Sequence, residues 1–486
     1  MSQVLASPQP SANVFTSLLP VFFKNVGTLI LLLLLLPLNI GLIFSSMVVN
    51  AIYEKVNRGK ADGEKANRKV AEIDSKQKAS HDAAARAAQT KGRKRVLITG
   101  AKMTKALQLA RSFYQDGHEV YLVETHKYWL SGHRFSRSVK RFFTVPAPEK
   151  DSDGYSQALV EIAKEHNIDL FIPVSSPIAS YYDSLAKVAL APYCESLHLD
   201  PEETVILDDK HAFCSQATAL GLSAPKVFRI TDPNQILEFD FERDGSQYIV
   251  KSIPYDSVLR LDLTKLPFAG MEDYVRSLPI SEAKPWVMQE FIRGQEYCFH
   301  ATARKGKIRL HCCSKSSPFQ INYEQVNNAA IYQWVETFIQ KMNLTGQICF
   351  DMIQTEDGQV YPIECNPRLH SAITMFHDHP GVANAYLTDG EPDELPLTPL
   401  PNSQPTYWTY HELWRLLSVR SAADFSAWWN KVTAGTDAVL DPNDPLPFLM
   451  LHNWQIPLLL LDNLRRLKGW VKIDFNIGKL VELGGD

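Results

Sequence analysis

The sequence lacks the cysteine patterns of a metal site or a disulfide framework. Its seven cysteines are odd in number, and no two of them form a C-x-x-C pair. This pattern is typical of a reduced, cytosolic protein, and it predicts neither a zinc site nor structural disulfides.

The sequence also lacks a strong excess of one charge. Its 50 Lys and Arg residues face 54 Asp and Glu residues, which gives a net charge of −4. A dedicated nucleic-acid binder is usually basic where it touches phosphate, so we expect no nucleic-acid partner. Because 10% of the residues are aromatic and 45% are apolar, the composition also excludes wholesale disorder. The length of 486 residues suggests about three ordinary domains.

One long hydrophobic run stands near the beginning of the chain. Residues Val26 to Tyr53 form 28 positions without a charge, which as a helix would reach about 42 Å and so exceed a bilayer core of about 30 Å. We predict an N-terminal tail over 1–25 and a retained transmembrane anchor over 26–53. Pro37 and Asn39 leave a kink or a re-entrant hairpin open. A cleaved signal peptide fits poorly, because the run is long and only Lys24 precedes it as a basic residue.

A charged segment follows the hydrophobic run. Residues 54 to 95 carry 13 Lys or Arg against 6 Asp or Glu, a charge of +7 that leaves −11 for the rest of the chain. With few large apolar residues, 54–94 is predicted to be a solvated helical or disordered tether. Its basic excess beside the apolar run places the body of the chain on the cytoplasmic side of the membrane. Attraction to anionic lipid is a secondary alternative.

The region 95–200 predicts a Rossmann-like module. Three short β-rich runs at 95–99, 119–123 and 169–174 alternate with helical patterns, which favours a parallel, doubly wound sheet. Gly100 follows the first run, but the G-x-G-x-x-G motif is absent. We therefore expect a module of this kind that holds no dinucleotide, although its loop tips can still hold a substrate.

Four motifs between 207 and 370 contain the candidate chemistry. The first is Asp208-Asp209-Lys210 before a helical stretch, which alone is more simply a helix cap with a solvated lysine. The second is a β-rich run that ends in Lys251, whose ammonium could act as a point charge on phosphates. The third spans 286–297, where an apolar strand, a hinge and Glu296 would suit an adenosine pocket.

The fourth motif is the strongest. A strand that ends in Asp351, a D-G turn at 357–358 and the run I-E-C-N-P-R at 363–368 predict a β-hairpin. The i, i+2 spacing of Glu364 and Asn366 places both on one face of the strand, and Arg368 continues that phase. Oxygen ligands on one face suit Mg²⁺, and the arginine suits a phosphoryl group in transfer. A buried ion-pair network is the alternative.

In this order the motifs D-K, strand-K, Q-E-F-I-x-G-x-E-Y, G-x-x-x-x-D and I-E-C-N-P-R resemble the ATP-grasp superfamily of carboxylate–amine ligases, over roughly residues 95 to 390. The resemblance implies that Lys210 and Lys251 contact the phosphates of ATP. It implies that the adenine hinge and the ribose contact come from Glu290, Phe291, Ile292 and Glu296.

The resemblance further implies a metal site and a catalytic residue. Asp351, Glu364 and Asn366 match the ligands of Mg²⁺, with Mn²⁺ as an alternative, and Arg368 matches the arginine that binds the transferred phosphate. The glycine-rich loop of the family is missing after Lys251, where residues 254–257 read P-Y-D-S. This departure puts the phosphate lid in doubt.

The implied chemistry is phosphorylation of an acidic oxygen followed by displacement by an amine, so both substrates are small molecules. Such a step needs positioning and cations rather than a covalent nucleophile, which agrees with the absence of a Ser–His–Asp or Cys–His signature. A base for the amine could lie near His370, Ser371 or His377, although lone histidines are more often structural.

The overall arrangement looks like the cyanobacterial-type family that makes mycosporine-glycine from 4-deoxygadusol, glycine and ATP. Nothing in composition or spacing identifies that substrate. A second hypothesis is another ATP-grasp ligase, for instance one that joins amino acids, and a third is a non-catalytic nucleotide-binding scaffold.

The expected fold class is therefore α/β, of the α+β ATP-grasp kind. It comprises an N-terminal transmembrane helix, the Rossmann-like module over 95–200, an ATP-grasp domain over 201–395 and a Trp-rich C-terminal extension over 396–486. Two alternatives stay open for the extension, which could pack against the body or lie on a membrane surface.

Overall fold

The computed structural model describes residues 13–63, 92–174, 176, 178–253, 259, 262–316, 322–391 and 393–482. Most of the predicted tether and the P-Y-D-S segment at 254–257 lie outside the described residues. Two helices lead into the body, α1 (Asn13–Leu34) and α2 (Leu36–Gly63).

The two N-terminal helices run on as one. Leu35 N–H donates to Leu31 O at 2.9 Å, and Asn39 N–H donates to Leu35 O at 3.0 Å, so helical hydrogen bonding continues past Pro37. Pro37 is tolerated because it lies in the first turn of α2. The re-entrant hairpin is therefore not formed. By length and composition alone, Leu19–Tyr53 is long and apolar enough to cross a membrane, with a mean hydropathy of 2.5.

The first body domain is a parallel, doubly wound sheet, as the alternating pattern predicts. Its strands pair in the order β3-β2-β1-β4-β5, and all the pairings are parallel. The elements are β1 (Arg95–Ile98), α3 (Thr104–Gln115), β2 (Glu119–Thr125), β3 (Val139–Val145), α4 (Ser152–His166), β4 (Leu170–Ile172), α5 (Ala179–Leu190) and β5 (Glu195–Ser196).

Two antiparallel four-stranded sheets follow, in the orders β6-β9-β7-β8 and β11-β10-β13-β14. The elements up to the second sheet are α6 (Pro201–Asp208), α7 (Lys210–Ala219), β6 (Val227–Ile230), α8 (Asn234–Leu237), α9 (Phe241–Asp244), β7 (Tyr248–Ser252), β8 (Lys265–Leu266), α10 (Met271–Ser277) and β9 (Trp286–Glu290). The next are β10 (Gln295–Arg304), β11 (Lys307–Lys315), β12 (Asn322–Tyr323), α11 (Ala329–Met342), β13 (Gly346–Gln354), β14 (Val360–Asn366) and α12 (Val382–Leu387).

The C-terminal extension packs against the body. It contains β15 (Thr406–Tyr407), α13 (Thr409–Leu416), α14 (Ala422–Ala434), β16 (Thr436–Asp437), α15 (Leu446–Met450), α16 (Ile456–Arg465), β17 (Lys472–Asp474) and β18 (Lys479–Val481). Trp408 is buried, and its indole N–H donates to Thr104 Oγ1 at 3.1 Å. One hydrophobic core joins this extension to the first sheet and to Leu32 of α1. Packing therefore accounts for much of the extension, whereas Trp414 stays 75% exposed.

Candidate functional site

The predicted hairpin is formed, and it brings the carboxylates together. β13 pairs with β14 in antiparallel register, with Asp351 opposite Glu364 and Cys349 opposite Asn366. Asn366 Nδ2 donates to Asp351 Oδ2 and to Glu364 Oε1, both at 3.3 Å. The three predicted ligands therefore share one half-buried face of the sheet.

The two carboxyl groups titrate in opposite directions. Burial, together with the negative charge of Glu364, raises the pKa of Asp351 well above its usual range. Burial opposes ionisation of Glu364 as well, but the positive charges of Lys210 and Arg368 lower its pKa to about 2. The neighbouring positive charges therefore stabilise the ionised form of Glu364 but not that of Asp351.

Two of the predicted cations border this face. Asp209 caps α7 by accepting from His211 N at 2.8 Å and Ala212 N at 3.1 Å, which fixes Lys210 at the first position of the helix. Lys210 Nζ lies 3.0 Å from Glu364 Oε2. The solvated lysine that this motif alone would suggest is not what forms.

Arg368 follows β14 and lies on the same side as Glu364 and Asn366. Its Nη2 donates to Asn366 Oδ1, and its Nη1 lies 3.7 Å from Asp208 Oδ1. That Nη1 atom is buried and makes no hydrogen bond. An unsatisfied guanidinium N–H beside a carboxylate site fits the oxygen of an anionic ligand.

Lys251 is the third predicted cation, at the end of β7. Its Nζ donates to Asp262 O at 3.0 Å, and burial lowers its pKa. The sheet that carries β7 contacts the hairpin, because Gln289 Nε2 of β9 donates to Ile363 O of β14 at 2.9 Å.

The predicted adenine hinge at 290–292 is hydrogen-bonded to neighbouring segments of its own sheet. Glu290 N–H donates to Lys226 O at 2.8 Å, and Phe291 N–H donates to Gln247 O at 2.7 Å. The Glu290 carboxylate accepts from Lys226 N at 3.0 Å and from Ser246 Oγ at 3.0 Å. These two N–H groups are therefore engaged within the protein, and half-buried Ile292 follows them at the end of the strand.

Glu296 lies near the beginning of β10, on the face that carries the carboxylates. Glu296 lies opposite Ile353, and Cys298, two residues further along β10, lies opposite Asp351. Residues two apart on a strand share a face, so Glu296 and Asp351 are on the same side of the sheet. Its exposed carboxylate accepts from Ser316 Oγ at 3.2 Å. The glycine before this strand is required by close packing, because a Cβ on Gly294 would lie 2.2 Å from Gln354 O.

Reasoning from the sequence missed two polar side chains next to the site. Gln289 is buried, and its Nε2 donates to Ile363 O at 2.9 Å, beside Glu364. The alternation of β9 could have indicated it, since Gln289 and Glu290 point to opposite faces.

The other missed side chain is Lys105, in the first turn of α3. Its Nζ donates to Leu369 O at 2.6 Å, and burial, with the charge of Arg368, lowers its pKa to about 7. Its place just beyond β1, where doubly wound sheets hold ligands, was the available signal.

Two of the three residues suggested as a base, His370 and Ser371, have structural contacts. His370 caps a short 3₁₀ turn by accepting from Ala372 N at 3.2 Å, and burial holds its pKa well below the usual range. Cys298 and Cys349 lie behind it with their sulfurs 3.2 Å apart. Ser371 Oγ accepts from Asn476 Nδ2 at 2.8 Å. His377 keeps a buried Nδ1 atom without a hydrogen-bond partner.

The donor set fits a hard divalent cation. Two carboxylates and an amide meet on one face. Burial, and after it the charge of Glu364, raises the pKa of Asp351, and a bound cation would favour its ionised form. In the structure Asn366 turns its Nδ2 to the carboxylates, so ligation through its Oδ1 requires a flip of the amide.

Comparison with known proteins gives partial likenesses in structure only. No protein-family model and no curated protein matches the chain. An L-amino acid ligase from Bacillus licheniformis is 16% identical with a TM-score of 0.41, and the match covers 60% of this chain and 68% of that one. The ADP complex of N5-carboxyaminoimidazole synthetase from Staphylococcus aureus is 14% identical (TM-score 0.44, 59% and 73% covered). The β-γ-ATP complex of biotin carboxylase from Campylobacter jejuni is 12% identical (0.47, 62% and 72%). With TM-scores below 0.5, these likenesses do not by themselves establish a fold family.

Proposed function

We propose that the chain is an ATP-dependent carboxylate–amine ligase of the ATP-grasp kind. The observation that carries the proposal is the meeting of Asp351, Glu364 and Asn366 with Lys210 and Arg368 on one half-buried face. A structural ion-pair network would leave no reason for the buried Arg368 Nη1 atom that makes no hydrogen bond or for two carboxylates placed opposite each other on paired strands.

In this proposal ATP lies between the two antiparallel sheets. Lys210 and Lys251 hold its phosphates as point charges, Glu296 accepts from the ribose hydroxyls, and the strand end at 290–292 lies against the adenine. Because the N–H groups of Glu290 and Phe291 are engaged, these two residues contribute their carbonyl groups and side chains rather than N–H donors.

Asp351, Glu364 and Asn366 are the proposed ligands of Mg²⁺, with Mn²⁺ as the alternative. When bound, the ion neutralises charge on the phosphates during transfer. Arg368 binds the transferred phosphoryl group through Nη1, which makes no hydrogen bond in the structure, and the paired Lys210 keeps Glu364 ionised for ligation.

We infer that the acid is activated at an oxygen and that the amine then displaces phosphate. Lys105 adds a buried amine next to Leu369, which in its protonated form can orient an acidic substrate. The engaged contacts of His370 and Ser371 leave no geometric support for either of them as the amine's base.

For the substrates we propose 4-deoxygadusol and glycine, with mycosporine-glycine as the product. The support is the resemblance of the whole arrangement, and the enol oxygen of a vinylogous acid is chemically suited to phosphorylation. The test is ADP release with this pair and the appearance of a new ultraviolet-absorbing product. Turnover only with other acids and amines would favour a different ligase, such as one that joins amino acids.

The test of the ligase reaction itself is Glu364→Ala. Loss of this carboxylate removes a proposed metal ligand and the partner of Lys210, so we expect ADP formation to fall at least 100-fold. The matched control is Glu356→Ala, an exposed residue in the turn of the same hairpin, which should keep full activity. Full ADP formation by Glu364→Ala would contradict the proposed metal site, whereas a lack of ADP formation by the unsubstituted chain would favour a nucleotide-binding scaffold.

We further propose that the N-terminal helix attaches the enzyme to a membrane with the body on the cytoplasmic side. The support is the apolar length of Leu19–Tyr53 and the +7 charge that follows it. Recovery of the full chain in the soluble fraction of lysed cells would contradict this attachment.

A further inference from the structure

The apolar N-terminal helix is docked on the C-terminal extension through its few polar residues. Asn25 is fully buried; its Nδ2 donates to Lys468 O at 3.2 Å, and Trp470 Nε1 donates to its Oδ1 at 3.1 Å. Lys24 Nζ donates to Trp470 O at 2.6 Å and lies 3.9 Å from the centre of a Trp470 ring. These contacts give the polar side chains near one end of the docked helix their hydrogen-bond partners.

A second set of contacts lies further along the same helix. Asn39 is also fully buried; its Nδ2 donates to Asn453 Oδ1 at 2.7 Å, and Tyr410 OH donates to Asn39 Oδ1 at 2.9 Å. Asn453 Nδ2 donates in turn to Leu32 O at 3.1 Å. Asn25 and Asn39 therefore both hydrogen-bond to residues of the extension that lie more than 370 positions away in the sequence.

The docked length conflicts with a perpendicular span. From Asn25 to Ile43, which also packs on the shared core, the helix extends about 27 Å, close to the bilayer core of about 30 Å. Past Ile43, uncharged residues continue only to Tyr53, about 15 Å of helix. A perpendicular helix would therefore pull the extension, with its charged residues, into hydrocarbon, at high cost.

The other side of the docked helix is apolar and exposed. Leu33 is 68% exposed and Leu34 is 70% exposed. Beside α1 lies α16, where Leu461 is 49% exposed. The exposed Arg465 and Arg466 follow it, and both pair with the single carboxylate of Asp462, which leaves one net positive charge. An apolar stripe with basic residues at its border complements the interface of a bilayer with anionic headgroups.

We propose that this helix lies flat in the interface of a lipid bilayer, held against the C-terminal extension, and does not cross the membrane. Helix and extension then form one membrane-binding platform, and both ends of the helix lie on the same side as the body. The proposal rests on the membrane attachment proposed above but not on the ligase reaction.

Disulfide trapping in native membranes tests the docking. The full chain with Asn39→Cys and Asn453→Cys is oxidised with copper phenanthroline, and a cross-linked band on a non-reducing gel is expected. The control pair is Leu33→Cys with Asn453→Cys. Leu33 lies on the exposed side of the helix, so this pair should not cross-link. No cross-link in either pair, in variants that keep the unfolding midpoint of the unsubstituted chain, would overturn the docking in the membrane.

Labelling of the N-terminal tail tests the topology independently. Ser11→Cys in inside-out membrane vesicles should react with a membrane-impermeant maleimide to the same extent as Ser418→Cys, an exposed position in the extension. The unmodified chain corrects for its seven cysteines, six of which are buried. If Ser11→Cys reacts only after detergent is added, the helix crosses the membrane and the proposal is wrong. Absence of the chain from the membrane fraction would instead contradict the attachment itself.

Discussion

A buried ion pair adds to the hydrophobic core that joins the first domain to the C-terminal extension. Arg111 Nε donates to Asp444 Oδ2 at 2.9 Å, and the two side chains are 8% and 5% exposed. The same carboxylate accepts from Ser136 Oγ at 2.6 Å and from Arg137 N at 2.9 Å. Asp444→Ala would remove the acceptor of Arg111 Nε, Ser136 Oγ and Arg137 N, and Arg111 would keep only the backbone oxygens of Val439 and residue 444 for its Nη2.

The expected loss is large for a single substitution. Removal of one partner of a buried, hydrogen-bonded ion pair costs about 3–5 kcal/mol. At about 2–4 °C per kcal/mol for a unit of 150–250 residues, the unfolding midpoint should fall by about 6–20 °C. Thermal unfolding of the full chain in detergent micelles, followed by tryptophan fluorescence, measures this shift.

The matched control is Asp441→Ala. Asp441 Oδ2 lies 3.7 Å from the same Arg111 Nε, but its side chain is 27% exposed, so the expected loss is only about 0–1 kcal/mol. Equal, small shifts in both variants would refute the view that this ion pair joins the extension to the first domain.

Three further outcomes follow from the site. Gly294→Ala places a Cβ against the backbone oxygen of Gln354, and we expect a loss of about 1–3 kcal/mol in thermal unfolding together with weaker ATP binding by calorimetry. Lys105→Met removes a buried amine whose pKa is lowered from 10.5 to about 7. Since the unfolded chain binds this proton and the folded chain does not between those values, the stability of the unsubstituted protein should rise relative to Lys105→Met from pH 7 to 10.5 and stay level below pH 7; a parallel pH dependence would contradict this. Mg²⁺ should raise the unfolding midpoint of the unsubstituted protein but not that of Asp351→Asn, and an equal rise in both would argue against the metal site.

The local part of the site could be predicted from the sequence, and the distant part could not. The hairpin follows from a D-G turn between two alternating strands, so the meeting of Asp351 and Glu364 needed no tertiary information. Lys105 reaches Leu369 across 264 residues, a contact that no local pattern contains. The apolar run at 26–53 likewise predicts a membrane anchor but not its contacts with the extension. Its partners Asn453 and Trp470 lie at the other end of the chain.

The position of Arg111 and Asp444 in the chain has a consequence for synthesis. The two residues are 333 positions apart, so at about 5–20 residues per second the ribosome needs roughly 17–70 s to supply the second after the first. During that time the face of α3 that later meets the extension has no partner, and its apolar residues remain open to aggregation. The nascent chain should therefore depend on a chaperone until Asp444 and its neighbours have emerged, and a ribosome stalled before Asp444 should hold a first domain that a protease digests readily.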